Sequence, residues 1–151
     1  MSVRPQIQSE SAECGLACIA MIASAHGLRI DLAELRQRFS ISLKGADLAQ
    51  LMRHAETLGF ACRPLRLELD EMNQLQLPCM LHWNLNHFVV LTRVSSGKLT
   101  LLDPAVGKRV MTTAEASEDS DSNLFLHLLR PPATCTKIVL FFCIDSRHYV
   151  C

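Results

Sequence analysis

Apolar and polar positions follow a helical period through the first third of the chain and a strand period after it. Leu16, Ile19, Ala20 and Ala23 recur at spacings of three and four, so residues 14–25 read as a helix, which Gly27 stops. Asp31 can cap a second, short helix, with Glu34 reaching back as in a capping box. Leu48, Leu51, Met52, Ala55 and Leu58 mark a third helix between Asp47 and the terminating Gly59.

The period then shortens to two. Leu65, Leu67 and Leu69 alternate with Arg66 and Glu68, which predicts a half-buried strand. Cys79 to Trp83, His87 to Val94, Lys98 to Leu102 and Lys108 to Met111 read as four further strands. They are separated by turns at Asn84 to Asn86, Ser95-Ser96-Gly97 and Pro104 to Gly107. The plan is a helical front half packed on an antiparallel β-sheet, the α+β class. No internal repeat interrupts it and no boundary falls before residue 112. Beyond Thr112 the pattern weakens: Ser117 to Ser122 is a polar, acidic break, after which Leu124 to Leu129 and Ile138 to Ile144 are two possible strands or an unpacked tail.

Composition narrows the function. A chain of 151 residues suits one domain that buries roughly two-thirds of its unfolded surface. Fifteen basic and fifteen acidic residues cancel, and without a basic excess or stripe nothing points to nucleic acid as a partner. Seven cysteines are enough for a disulfide framework, but the number is odd and Met1 to Ser11 lacks the apolar core of a signal peptide, so a reducing, cytoplasmic setting is expected. The longest apolar runs, such as Ile138 to Ile144, fall far short of the ~20 residues that span a bilayer.

Among side chains able to do chemistry, Cys14 stands out by position. If the first helix begins near Glu13, Cys14 lies in its first turn, where unpaired N–H groups and the macrodipole favour a thiolate. Cys18, one turn deeper beside Ile22, reads as a small buried hydrophobe. His87 opens an apolar strand, and Asp103 closes the next one, just before Pro104. Stepping outward from a turn centred near residues 95–96 reaches positions 87 and 103 or 104 together. A carboxylate beside an imidazole, with a thiol in reach, is the Cys-His-Asp/Asn form of the catalytic triad. Each residue alone has a blander reading: a helical cysteine is most often core, and a His or Asp at a strand end is most often a turn or cap. Cys79, His82 and His87 could be read as soft metal ligands, but an intervening strand puts 79 and 82 on opposite faces and no C-x-x-C pair completes a tetrahedral set. No metal or cofactor is expected. His26, His54, His127 and His148 read as surface or satisfied structural residues.

The run Gln8-Ser9-Glu10-Ser11-Ala12-Glu13-Cys14-Gly15-Leu16-Ala17-Cys18 resembles the signature Q-x-x-x-x-(D/E)-C-G-x-A-C of the cysteine peptidase domain at the N-terminus of bacteriocin ABC exporters, the colicin V type above all. The resemblance continues through Leu43 to Leu48, Leu77 to Leu91 and Leu102 to Gly107, and covers about Gln6 to Ser117. It implies a papain-like fold over residues 1–117, with Cys14 as nucleophile, His87 as general base and acid, Asp103 as the orienter of His87, and Gln8 as oxyanion-hole donor. It implies cleavage of a leader peptide after a Gly-Gly or Gly-Ala pair, with the leader docked as an amphipathic helix in an apolar groove. The implied partners are that leader and the transmembrane and ATPase domains of an exporter, at the cytoplasmic face of the inner membrane. A peptidase-like module that binds leaders without cutting them, and an inactive truncated remnant, are the alternatives.

Two departures from the family stand out. The sequence contains no long apolar span and no Walker A pattern G-x-x-x-x-G-K-[ST], so an isolated domain is expected. Residues 118–151 form a divergent tail in place of the family's F-T-G-x-A-L-E-L strand, with Leu124 to Leu129 as a substitute, and a shifted or premature reading frame would produce such an ending.

Overall fold

The computed structural model describes residues 3–62, 64, 69–83, 86–119 and 138–140. A single 3-10 turn, Ser11–Glu13, runs straight into the helix α1, Cys14–Ala25. Every residue of α1 from Cys14 to Ala23 is buried, where the sequence pattern marks only one apolar face. The reason is its position: α1 packs on the sheet along one side and on α2 (Leu32–Arg38) and α3 (Leu48–Thr57) along others. Its alanines and Gly15 permit that crowding, since a Cβ on Gly15 would lie 2.6 Å from both Cδ atoms of Leu51 on α3.

Capping matches the sequence with one change. Gln50 N–H donates to Asp47 Oδ1 at 2.7 Å while Asp47 N–H donates to Gln50 Oε1 at 3.0 Å, a reciprocal box that starts α3. On α2 only half of the expected box forms. Glu34 N–H donates to Asp31 Oδ1 at 2.8 Å, but the Glu34 carboxylate accepts from Arg38 one turn on, at 2.5 Å. Leu51 and Ala55 are buried, and Leu48, Met52 and Leu58 pack against the core, the predicted face of α3.

Four strands, β2 (Cys79–Trp83), β3 (His87–Ser95), β4 (Lys98–Asp103) and β5 (Gly107–Thr112), form an antiparallel meander in chain order. Ser96 and Gly97, with φ of 51° and 70°, supply the two left-handed positions of the tight β3–β4 turn. A short strand β1 (Phe60–Cys62) stands apart and pairs in parallel with β6 (Ile138–Leu140).

Two sequence expectations change. Leu69 belongs to a 3-10 segment, Leu69–Gln74, and not to a strand; residues 65–68 lie outside the described residues. Thr113–Asp119 forms a helix, α4, across the start of the acidic stretch. Thr112 and Glu115 cap it reciprocally: Thr112 N–H donates to Glu115 Oε2 at 2.6 Å, and Glu115 N–H donates to Thr112 Oγ1 at 3.2 Å. The T-x-x-E signature at 112–115 is a readable helix start and outweighs the polarity of Ser117 to Asp119. The proposed strand Leu124 to Leu129 lies outside the described residues.

Candidate active site

Cys14 is the first residue of α1, and the helix places its thiol at the edge of the core, 6% exposed. The 3-10 turn leads directly into this first turn, so the amino end of the helical run lies just ahead of Cys14. His87 is the first residue of β3 and Asp103 the last of β4. His87 Nε2 lies 2.8 Å from Asp103 Oδ1, and His87 is also hydrogen-bonded to the Cys14 thiol. Because Nε2 is committed to Asp103, Nδ1 is the ring nitrogen left for Cys14.

The route to this pairing differs from simple counting out from the turn. Ser95↔Lys98, Val94↔Leu99 and Arg93↔Thr100 pair first, then a bulge at Thr92 shifts the ladder so that Leu91 faces Leu101 and Val90 faces Leu102. Asp103 therefore stands opposite Val89, and the cross-strand partner of His87 is Trp83 on β2. His87 and Asp103 are diagonal neighbours on one face, not directly opposed. With an unbroken ladder Asp103 would face Val90, whose side chain points to the other side of the sheet from His87. The bulge puts both residues on the face that packs against α1 and carries Cys14. The Thr92 hydroxyl donates to Thr100 C=O at 3.0 Å and fixes the bulge in place.

Asp103 is the one buried polar or charged side chain among the described residues, 5% exposed. Its Oδ1 also accepts the Ala105 N–H at 2.8 Å, an Asx-turn legible in the sequence Asp-Pro-Ala. Arg109 Nη1 lies 3.6 Å from Asp103 Oδ2, a contact that spacing did not single out. Its signal was the register Asp103↔Gly107, which sets residue 109 two positions along the same face. The bond to Cys14 first, then Asp103, hold the His87 imidazole above its ordinary 6.5, against the opposing effect of burial.

Gln8 arrives from the N-terminal arm. Its N–H donates to Pro104 C=O at 2.9 Å, which pins the arm to the residue after Asp103. Its side-chain Oε1 is buried without a hydrogen-bond partner among the described residues. Amide O and N positions are assigned from hydrogen-bond networks, so this is a buried amide end with spare capacity to bond. The other cysteines have different settings. Burial pushes the Cys18 thiol well above its usual range, with the charges of Cys14 and Asp103 adding to the effect, and pushes Cys62 up to about 12. Cys79 faces the core, while His82 stacks on Phe88 on the opposite face, centroids 4.6 Å apart. Among the described residues no group of three or more His, Cys, Asp or Glu is arranged to hold a metal.

An open cleft of about 350 Å³ runs between the arm and the segment after α2, lined by Glu10, Ala12, Arg36, Phe39, Ile41 and Leu43. Gly45, at φ 86°, lies against the backbone of Ala12, two residues before Cys14: a Cβ there would sit 3.5 Å from the Ala12 carbonyl oxygen. Among the described residues no helix is long and apolar enough to cross a membrane.

The family model described as "Peptidase C39 family" matches residues 3–126. Over 110 residues the chain is 51% identical to the colicin V secretion/processing ATP-binding protein of Escherichia coli, and over 118 residues 30% identical to the lactococcin-G-processing and transport ATP-binding protein of Lactococcus lactis subsp. lactis. These matches take in 73% and 74% of this chain but only 16% and 17% of the relatives, so the chain spans about a sixth of their length. Among solved structures it resembles a double glycine motif protease from an AMS/PCAT transporter in complex with the leader peptide, at TM-score 0.73 and 27% identity, over 80% of this chain and 86% of that one. The peptidase domain of Streptococcus ComA shares the fold at TM-score 0.71 and 23% identity, over 80% and 93% of the two chains.

Proposed function

The chain belongs to the peptidase C39 family of cysteine peptidases, α+β and papain-like in fold, and from that premise we propose that it cleaves leader peptides of bacteriocin-type precursors after a Gly-Gly or Gly-Ala pair. The observation that carries the reading is the hydrogen-bonded series Cys14, His87, Asp103 at the mouth of a helix N-terminus.

In this reading the Cys14 thiolate attacks the carbonyl carbon of the second small residue. The oxyanion that forms is met by the Gln8 amide and by N–H groups at the start of α1. His87, as imidazolium, gives its proton from the Nδ1 side to the leaving amine, and the peptide C–N bond breaks as the thioester forms. His87 then takes a proton from water, whose oxygen attacks the thioester and releases the leader's carboxylate and the Cys14 thiolate. Asp103 keeps Nε2–H in place throughout. The nucleophile is only 6% exposed, which suits a peptide whose side chains are at most a methyl group ahead of the bond being cut.

The peptidase unit is taken as residues 1–117, with 118–151 a divergent tail. Relatives named for secretion and processing support coupling to an ABC exporter, whose transmembrane and ATPase parts would hold this unit at the cytoplasmic face of the inner membrane. The rival, a module that binds leaders without cutting, is disfavoured by the presence of Cys14 bonded to His87. Incubation with a peptide whose amphipathic leader ends in Gly-Gly decides between them. Cleavage after the second glycine, absent in Cys14→Ala, supports the peptidase; binding without cleavage by the unmodified protein rejects it in favour of the module.

A further inference from the structure

The arm between Gln8 and Cys14 has little to hold it. Five residues separate the two, Ser9, Glu10 and Ser11 are exposed, and its only regular structure is one 3-10 turn, a weak element by itself. Yet an oxyanion hole works only if its donors are fixed before the charge appears.

Arg36 on α2 grips this arm. Its Nε and Nη2 both donate to the Glu13 carboxylate, Nη2 at 2.8 Å, and Nη2 also donates to Ser9 Oγ at 2.9 Å. The same carboxylate, at Oε2, accepts Ser9 N–H at 2.9 Å and Glu10 N–H at 3.1 Å. The two residues gripped are the immediate neighbours of Gln8 and Cys14. With Gln8 N–H fixed to Pro104 and Cys14 fixed in α1, the clamp closes the remaining freedom of the path between them.

We infer that Arg36 is a positioning residue for this site: through its two-pronged grip on Glu13 and Ser9, it sets the distance and direction of the Gln8 amide relative to Cys14. The inference rests on the peptidase reading above. A planar, forked guanidinium is required, because a lysine ammonium keeps the charge but cannot reach two carboxylate oxygens and a hydroxyl in one plane. Glu13 is correspondingly held below the usual carboxylate range, with the Arg36 hydrogen bond as the main cause, so the clamp stays ionised through neutral pH.

The test compares Arg36→Met, Arg36→Lys and the unmodified protein on a leader peptide ending in Gly-Gly, alongside the rate at which iodoacetamide alkylates Cys14. Alkylation uses the Cys14–His87 pair but builds no oxyanion. The expected result is a fall in kcat of about 10-fold to 10²-fold in Arg36→Met, as for a misplacement of about 1 Å, with KM within about twofold. Arg36→Lys should recover part of the loss, and alkylation should be unchanged. In a Gln8→Ala background, Arg36→Met should cost little more, since its effect passes through Gln8. Turnover in Arg36→Met equal to that of the unmodified protein overturns the clamp. So does alkylation that falls in step with kcat, or a full extra loss in the Gln8→Ala background. An unmodified protein that alkylates but does not cleave rejects the peptidase reading and the clamp with it.

Discussion

His87 and Asp103 are joined by a 2.8 Å hydrogen bond although they are diagonal neighbours in the ladder and not partners. Two donors therefore converge on one oxygen, since Oδ1 also takes the Ala105 N–H. That second bond selects an acceptor at this spot even in an uncharged side chain. Asp103→Asn would turn its carbonyl oxygen toward Ala105 and His87 and keep the imidazole oriented, retaining kcat within about 10-fold. Asp103→Ala leaves the ring untethered and should lose on the order of 10²-fold to 10⁴-fold. Steady-state kinetics on a leader peptide decide this; equal losses in both variants would mean that charge, and not orientation, is what Asp103 supplies.

The titration of His87 has a sign fixed by its partners. The Cys14 bond and Asp103 hold its folded-state value above 6.5, so imidazolium persists to higher pH than in a free histidine. The alkaline limb of kcat/KM should lie above the ordinary histidine range as a property of the coupled pair. NMR titration of the ring should give a lower value in Cys14→Ala than in the unmodified protein, and a further fall when Asp103→Asn is added. Stability obeys the same sign. The contribution of ionised His87 is fully present below about 6.5 and is lost as pH rises through the raised value. The stability gap between the unmodified protein and His87→Ala should narrow from pH 6 to pH 9 in urea melts; a gap that widens contradicts the assignment.

What could be read from the sequence was whatever depends on local period. The apolar spacing of Leu51 and Ala55 and the apolar runs bounded by turns between Cys79 and Asp103 placed α3 and the sheet, and a short turn between two strands was enough to bring residues 87 and 103 near each other. The bulge at Thr92 was not legible, because threonine is an ordinary strand residue and only the pairing itself reveals the extra position. The all-round burial of α1 was also hidden. An alanine-rich helix looks amphipathic or buried depending on neighbours that arrive from elsewhere in the chain. Gln8 had no local signature at all. The bond from its N–H to Pro104 joins residues far apart in sequence, so its place came only from resemblance.

Gly15 offers a packing test next to Cys14. A methyl there would meet Leu51 Cδ1 and Cδ2 at 2.6 Å, and Leu51 is fully buried, so neither side chain nor helix can yield freely. Gly15→Ala should destabilise by about 1–3 kcal/mol despite its better helix propensity. Shortening the neighbour in Gly15→Ala/Leu51→Val should return part of that loss, a coupling expected of residues in contact. Chemical denaturation of Gly15→Ala, Leu51→Val and the double variant measures both terms; additive effects would place the strain elsewhere.

Gln8 carries the sharpest distinction between a structural and a catalytic part. Its side-chain Oε1 is buried and has no partner among the described residues, while its backbone N–H is anchored to Pro104, so side-chain changes leave the arm in place. If the amide donates to the oxyanion, Gln8→Ala should lower turnover by ~10²-fold or more with peptide binding unchanged. Gln8→Glu is nearly the same shape but presents a carboxylate where negative charge develops, so at neutral pH it should be slower than Gln8→Ala. A filler of space would give the reverse order, with the isosteric glutamate the milder change. Acid should partly rescue Gln8→Glu, because a protonated carboxyl can donate again, and Gln8→Ala should show no such recovery. Turnover near that of the unmodified protein in both variants would remove Gln8 from the site.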